Sequence, residues 1–113
     1  MSSLSNKSCV PCRGGIPPLT ENDYESLLTE LGDGWEVIDT HHLEKTILLK
    51  NFAEALKFTN QVGSIAEKEG HHPDIELGWG RVKIIIWTHK IDGLSESDFI
   101  LAAKISAIGK TTS

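Results

Sequence analysis

Long apolar runs are missing from this chain. Stretches such as Ile84-Ile85-Ile86-Trp87 fall far short of the roughly 20 residues needed to span a bilayer, and no hydrophobic leader opens the sequence. The protein is therefore expected to be soluble and cytoplasmic, without a membrane partner. Positive charge is also sparse. Eleven Lys and Arg stand against sixteen Asp and Glu, a formal charge of -5, and no basic stripe is dense enough to track phosphates, which disfavours direct nucleic-acid binding. Cysteine is limited to Cys9-Val-Pro-Cys12. That pair could be half a zinc knuckle or a redox couple, but without a second CxxC or a strand-to-helix setting it reads as a reduced, inert tail motif. At 113 residues the chain holds one domain and no more.

What is present is well punctuated. Residues 1–18, rich in Ser, Gly and Pro and closing on Pro17-Pro18, read as a flexible arm, and residues 19–113 as the folded domain. Thr20 can cap a first helix carrying Tyr24, Leu27, Leu28 and Leu31, stopped by Gly32-Asp33-Gly34. Two strands follow, Trp35 to Asp39 and Leu43 to Leu49, the second placing Leu43, Ile47 and Leu49 on one face. Asn51 with Glu54 caps a long helix expected to bury Phe52, Ala55, Leu56, Thr59, Val62 and Ala66 and to end at Gly70. A hairpin from Asp74 sets Val82, Ile84, Ile86 and Thr88 on one face and Lys83, Ile85, Trp87 and His89 on the other, with His89 at the strand end. Ser95 and Asp98 then open a last helix through Phe99, Ala102, Ala103 and Ile105. The order αββαββα predicts an α+β two-layer domain, a four-stranded antiparallel sheet with helices packed on one face.

Five histidines are many for this length, and His71, His72 and His89 fall at element ends, where sites are usually built. By residue type alone, His71-His72-Pro73 reads equally as a helix-ending turn with solvated imidazoles near the negative end of the helix dipole. A metal site is disfavoured, because adjacent imidazoles diverge and neither HExxH nor a Cys-rich partner accompanies them. Acid-base catalysis is the third reading, since imidazole exchanges protons near neutral pH without large tuning. Glu67, one turn before His71, could orient that ring on a continuing helix or present a carboxylate to a ligand. Asp98 reads as part of the cap formed with Ser95, Trp79 as a packing residue near the site, and Thr88 as a core-facing strand residue or a ligand contact. His41-His42 reads as a strand connection with exposed imidazoles.

The spacing narrows this choice. Glu67, three residues, His71-His72-Pro73, five residues, Trp79, nine residues, His89, eight residues and Asp98 closely resembles the signature of the pterin-4a-carbinolamine dehydratases. The likeness extends over about residues 20 to 108 and leaves the cysteines outside. It implies an enzyme that removes water from a 4a-hydroxytetrahydropterin to give the quinonoid dihydropterin, with neither metal nor organic cofactor. Within that resemblance His71, His72 and His89 are the catalytic positions, His71 and His89 as the proton-transfer pair and His72 mainly as a positioning group. Glu67, Gly70, Thr88 and Lys90 fall at substrate-contact positions, and Pro73, Trp79 and Asp98 at structural ones. Gly70 and Ser97 stand where animal members carry an acidic residue and an arginine, so contacts by those side chains are absent here. The resemblance also implies a homodimer or homotetramer and a functional link to an aromatic amino acid hydroxylase. Animal members additionally serve as dimerisation partners of a homeodomain transcription factor, and a pterin-binding role without fast dehydration is a third possibility.

Overall fold

The computed structural model describes residues 17–111, with side chains of residues 17–108. The arm and its cysteines lie outside the described residues, apart from Pro17 and Pro18. Helix α1 spans Glu21–Leu31 and turns Tyr24 and Leu31 into the core. At its start the Asp23 carboxylate accepts from the backbone N–H and the hydroxyl of Thr20, both at 2.9 Å. The Thr20 amide, and after it the hydroxyl, hold the Asp23 carboxyl below its usual range.

Helix α2 spans Phe52–Glu69, and Asn51 Oδ1 accepts from the Glu54 amide at 2.9 Å, satisfying one of the donors that a helix start leaves orphaned. Its core stripe is Ala55, Phe58, Val62 and Ala66. Phe52 and Leu56, expected inside, are 45% and 43% exposed. At about 3.6 residues per turn they fall to one side of that stripe, on a flank left largely uncovered among the described residues.

Strands β1 (Glu36–Ile38), β2 (His42–Leu48), β3 (Asp74–Gly78) and β4 (Arg81–Ile86) form one antiparallel sheet in the order β1-β2-β4-β3. The register sets Leu43 opposite Ile86 and Ile47 opposite Val82, while Ile75 and Leu77 flank Ile84 and Val82 from the other side. These residues make the inner face, on which the helices pack. Lys45 shares that face, opposite Ile84. Its amine is satisfied by Asp33 at 2.8 Å and lies 6.0 Å from the centre of the Trp35 ring. Trp35, expected in the first strand, sits just before it, buried, with its indole N–H donating to Ser106 Oγ at 2.7 Å.

Helix α3, Glu96–Thr111, packs against α1, α2 and β2. Phe99, Ile100, Leu101, Ala102 and Ala103 are all buried, the pattern of a helix enclosed on every side. Just before it, the Leu19 amide donates to the Leu94 carbonyl at 2.9 Å, tying the domain's first residues to its last connection. A Cβ at Gly93 would lie 2.6 Å from Pro18 Cβ, so only glycine admits that approach. No helix among the described residues is long and apolar enough to cross a membrane.

Candidate active site

The site is built where three element ends meet. Helix α2 stops because Gly70 adopts the left-handed conformation (φ 67°), its N–H and that of His71 both turning back to the Ala66 carbonyl. Proline at 73 keeps His72 out of the helical region, and β3 begins at Asp74. The chain therefore leaves α2 as a short bend that presents two imidazoles.

The third imidazole arrives differently from expectation. Strand β4 ends at Ile86, and His89 opens a single 3₁₀ turn, His89–Ile91, rather than closing the strand. Thr88 and Gly93 exchange both backbone hydrogen bonds, at 2.8 and 3.3 Å, and pinch this turn into a closed loop. The pairing partner of β4 has run out there, so the chain pairs with itself.

Gly70, His71, His72, Trp87, Thr88, His89 and Lys90 line one open cleft of about 400 Å³. That volume lies within the range of small-molecule sites, roughly 300–1,000 Å³. The structure thus brings the three motif histidines together, with Gly70, Thr88 and Lys90 in the same wall. Among the described residues no group of three His, Cys, Asp or Glu side chains converges as metal ligands would.

The carboxylates are distributed otherwise than the spacing suggests. Asp98 is fully buried, and its two oxygens do different work. Oδ2 accepts from the Ser95 amide at 2.8 Å and the Thr88 hydroxyl at 2.9 Å, while Oδ1 stands 2.5 Å from His71 Nε2. Asp98 is both the cap of α3 and the partner of His71. Glu67 pairs instead with His72 Nε2, a solvated contact in which the two side chains are 60% and 78% exposed. The i, i+4 relation of Glu67 to His71 fails because the helix has ended at Gly70 before reaching it. Thr88, 3% exposed, faces the core, and its hydroxyl serves Asp98.

An imidazole that donates Nε2–H to a carboxylate carries its lone pair on Nδ1, and the carboxylate stabilises the imidazolium formed when Nδ1 takes a proton. His71 has that arrangement, with its side chain only 17% exposed. His89 makes no side-chain hydrogen bond among the described residues. It is held by ring contact with Trp87, centroids 3.8 Å apart and planes 18° apart. Trp79 does not pack near the cleft. It occupies the β3–β4 turn at the far end of β3 from His72 and is 74% exposed. His41 and His42, expected as exposed, are partly buried, and the His41 ring lies 4.4 Å from that of Trp87. Period two already placed Trp87 on the face of His89, but only the folded chain shows that the two rings stack.

Comparison with known proteins places the chain among relatives of one family. Residues 17–108 match the family model described as pterin 4 alpha carbinolamine dehydratase. A protein of Rubrobacter xylanophilus provisionally named a pterin-4-alpha-carbinolamine dehydratase is 55% identical over 108 residues, covering 96% of this chain and all of the relative. One of Alkaliphilus metalliredigens with the same name is 54% identical over 105 residues, covering 93% and 95% of the two chains. A crystal structure described as a transcriptional coactivator/pterin dehydratase from Brucella melitensis superposes with a TM-score of 0.75 at 34% identity, covering 80% of this chain and 97% of that one. A pterin dehydratase-like protein identified as a RuBisCO assembly factor in the alpha-carboxysome has a TM-score of 0.60 at 20% identity, covers 73% and 96% of the two chains, and shares the fold alone.

Proposed function

This chain belongs to the pterin-4a-carbinolamine dehydratase family and is a hydro-lyase, and we propose that it dehydrates its substrate by histidine acid-base catalysis in the cleft between Gly70 and Lys90. The observation that carries the mechanism is that His71, paired with the buried Asp98, lines the same cleft as His89.

The reaction removes the N5 proton and the 4a-hydroxyl of the pterin, leaving an N5=C4a double bond and water. It needs a base at N5 and an acid at the hydroxyl. His71 is the base: its Nε2 is committed to Asp98, and the carboxylate stabilises the charge the ring acquires. His89 is the acid, exposed at the mouth of the cleft and free of a competing carboxylate among the described residues. Each positioned proton-transfer group contributes about 10²- to 10⁴-fold. His72, oriented by Glu67, positions the pterin together with Lys90, Thr88 and the backbone at Gly70, where the lack of a side chain opens the wall. No metal or organic cofactor enters this scheme. The natural setting is cytoplasmic recycling of a tetrahydropterin oxidised by an aromatic amino acid hydroxylase.

Generating the 4a-hydroxypterin in situ with such a hydroxylase and following its decay by absorbance tests the reaction. Acceleration in proportion to added protein is expected, and decay at the spontaneous rate would remove the dehydratase reading.

Assembly belongs to the same proposal. Leu48, Phe52, Leu56 and Trp79 are large, apolar and exposed, and the bond from the Leu49 amide to the Gly80 carbonyl brings the end of β2 beside the turn that carries Trp79. Exposed apolar side chains of this size are candidates for an interaction surface, and a homodimer or homotetramer would cover them. Light scattering on the purified chain is expected to give two or four times the monomer mass of 12.4 kDa, reduced by Leu56→Arg. A monomer at micromolar concentration would exclude this assembly.

A further inference from the structure

His89 stands on a one-turn 3₁₀ segment, exposed, with no side-chain hydrogen bond among the described residues to fix its ring. Its orientation depends on Trp87, yet Trp87 lies beyond the end of β4 and is not fixed by the sheet's ladder. Besides His89, the ring packed on the indole among the described residues is that of His41.

His41 reaches the His89 loop at two points. Its ring packs on Trp87, centroids 4.4 Å apart and planes at 44°. Its Nε2 lies 2.9 Å from Oδ1 of Asp92, the left-handed residue (φ 50°) that ends the 3₁₀ turn and whose amide bonds the His89 carbonyl at 3.2 Å. His41 therefore touches the residue two before His89 and the residue three after it. We propose that His41 is a positioning residue for His89, clamping the Trp87–His89 stack and the 3₁₀ turn from the β1–β2 connection.

His41 is itself held firmly enough to act as a clamp. The β1–β2 turn closes through the bond from the His41 amide to the Ile38 carbonyl at 2.9 Å, with Asp39 and Thr40 both left-handed (φ 54° and 57°). The register pairs Ile38 with His42, so these two residues stand with His41 in a three-residue loop, in a backbone region that favours glycine. A β-branched threonine there is unfavourable, so the connection is a strained one that the surrounding contacts maintain. The second nitrogen of His41 is also engaged, Nδ1 lying 3.1 Å from Nδ1 of His42. With His41 donating Nε2–H to Asp92, its Nδ1 accepts from His42 in the neutral ring. Both nitrogens of His41 are thus occupied within the protein, and its contribution to the cleft passes through Trp87 and Asp92.

The Asp92 side chain is 85% exposed, and a solvated pair of this type adds little to stability. The effect of His41 is geometric. A proton donor displaced by an ångström can lose up to about 10²-fold in rate even when the cause lies away from the chemistry.

The proposal rests on His89 being a proton-transfer residue, so its test has an arm independent of turnover. In the full-length protein, the His89 Cε1–H resonance, assigned with a His89→Gln variant, should be displaced by the Trp87 ring current. It is expected to move toward the free-imidazole position in His41→Ala and to stay near its wild-type position in His41→Phe, which keeps an aromatic ring on Trp87. In the dehydration assay His41→Ala is expected to lower kcat by about 10-fold, with KM changed by less than about twofold and melting temperature and circular dichroism unchanged. His41→Phe recovers part of kcat, and Asp92→Gly, which removes the acceptor and suits the left-handed backbone, gives an intermediate loss. An unmoved His89 resonance in His41→Ala, or a rise in KM at constant kcat, would overturn the assignment. If His41→Ala does not fold, wild-type values for both His89 resonance and kcat in Asp92→Gly would do so. A wild-type chain that fails to accelerate dehydration while the resonance responds as described would refute the proposed reaction and leave the clamp standing.

Discussion

Replacing Asp98 by alanine is expected to cost the fold about 3 kcal/mol or more and to abolish turnover. The carboxylate is fully buried and accepts three short hydrogen bonds, from the Ser95 amide, the Thr88 hydroxyl and His71 Nε2, with the Ser95 hydroxyl farther off at 3.5 Å. Alanine leaves all three facing a void, and water admitted to fill it would loosen the start of α3. For a domain of this size the loss corresponds to a fall in melting temperature on the order of 10–20 °C. Asp98→Asn separates folding from chemistry. With its amide nitrogen toward His71, Nε2 must accept, the ring proton moves to Nδ1, and the base at the cleft is lost. Turned the other way, the amide opposes the Ser95 N–H and Thr88 hydroxyl. The first arrangement costs less, so Asp98→Asn is expected to fold while losing about 10²- to 10⁴-fold in kcat. Calorimetry and the dehydration assay check the pair. Wild-type kcat in Asp98→Asn would show that His71 does not depend on its carboxylate.

The second large effect concerns the two rings proposed to transfer protons, His71 and His89, taken together. His71→Ala and His89→Ala are each expected to lower kcat by about 10²- to 10⁴-fold. If base and acid act in the same elimination step, the double variant should fall little further than the worse single one, because a pair acting as a unit is grossly non-additive. Independent contributions would multiply instead. His72→Ala should raise KM more than it lowers kcat, as a positioning group would. Acceleration retained in the double variant would remove both rings from the mechanism.

Much of the architecture was legible because local signals agreed with the global fold. Asn51 with Glu54, Ser95 with Asp98, and the period-two run through Val82, Ile84 and Ile86 each mark an element that formed as expected. The departures have identifiable causes. Phe52 and Leu56 satisfy helical spacing, but spacing does not reveal which flank of α2 the chain leaves bare. His89 looked like a strand end because alternation continues past Ile86, whereas pairing does not. Glu67 was set against His71 by assuming a helix that Gly70 terminates, so it meets His72 instead. Asp98 was read as a cap, which accounts for one of its oxygens. That the other oxygen meets an imidazole 27 positions away is a tertiary fact that no local pattern encodes. The same holds for His41, whose neighbours in sequence give no sign of Trp87 or Asp92.

If His71 acts as proposed, the double engagement of Asp98 ties turnover to the seating of α3. One carboxylate cannot cap α3 and hold His71 unless that helix is seated between α1, α2 and the sheet. In the proposed mechanism a chain whose α3 is not seated is inert, because the carboxylate that engages His71 Nε2 is carried by that helix. Turnover is then a direct reporter of completed folding. In denaturant it should vanish along the same curve as the helical signal, with no active intermediate before it.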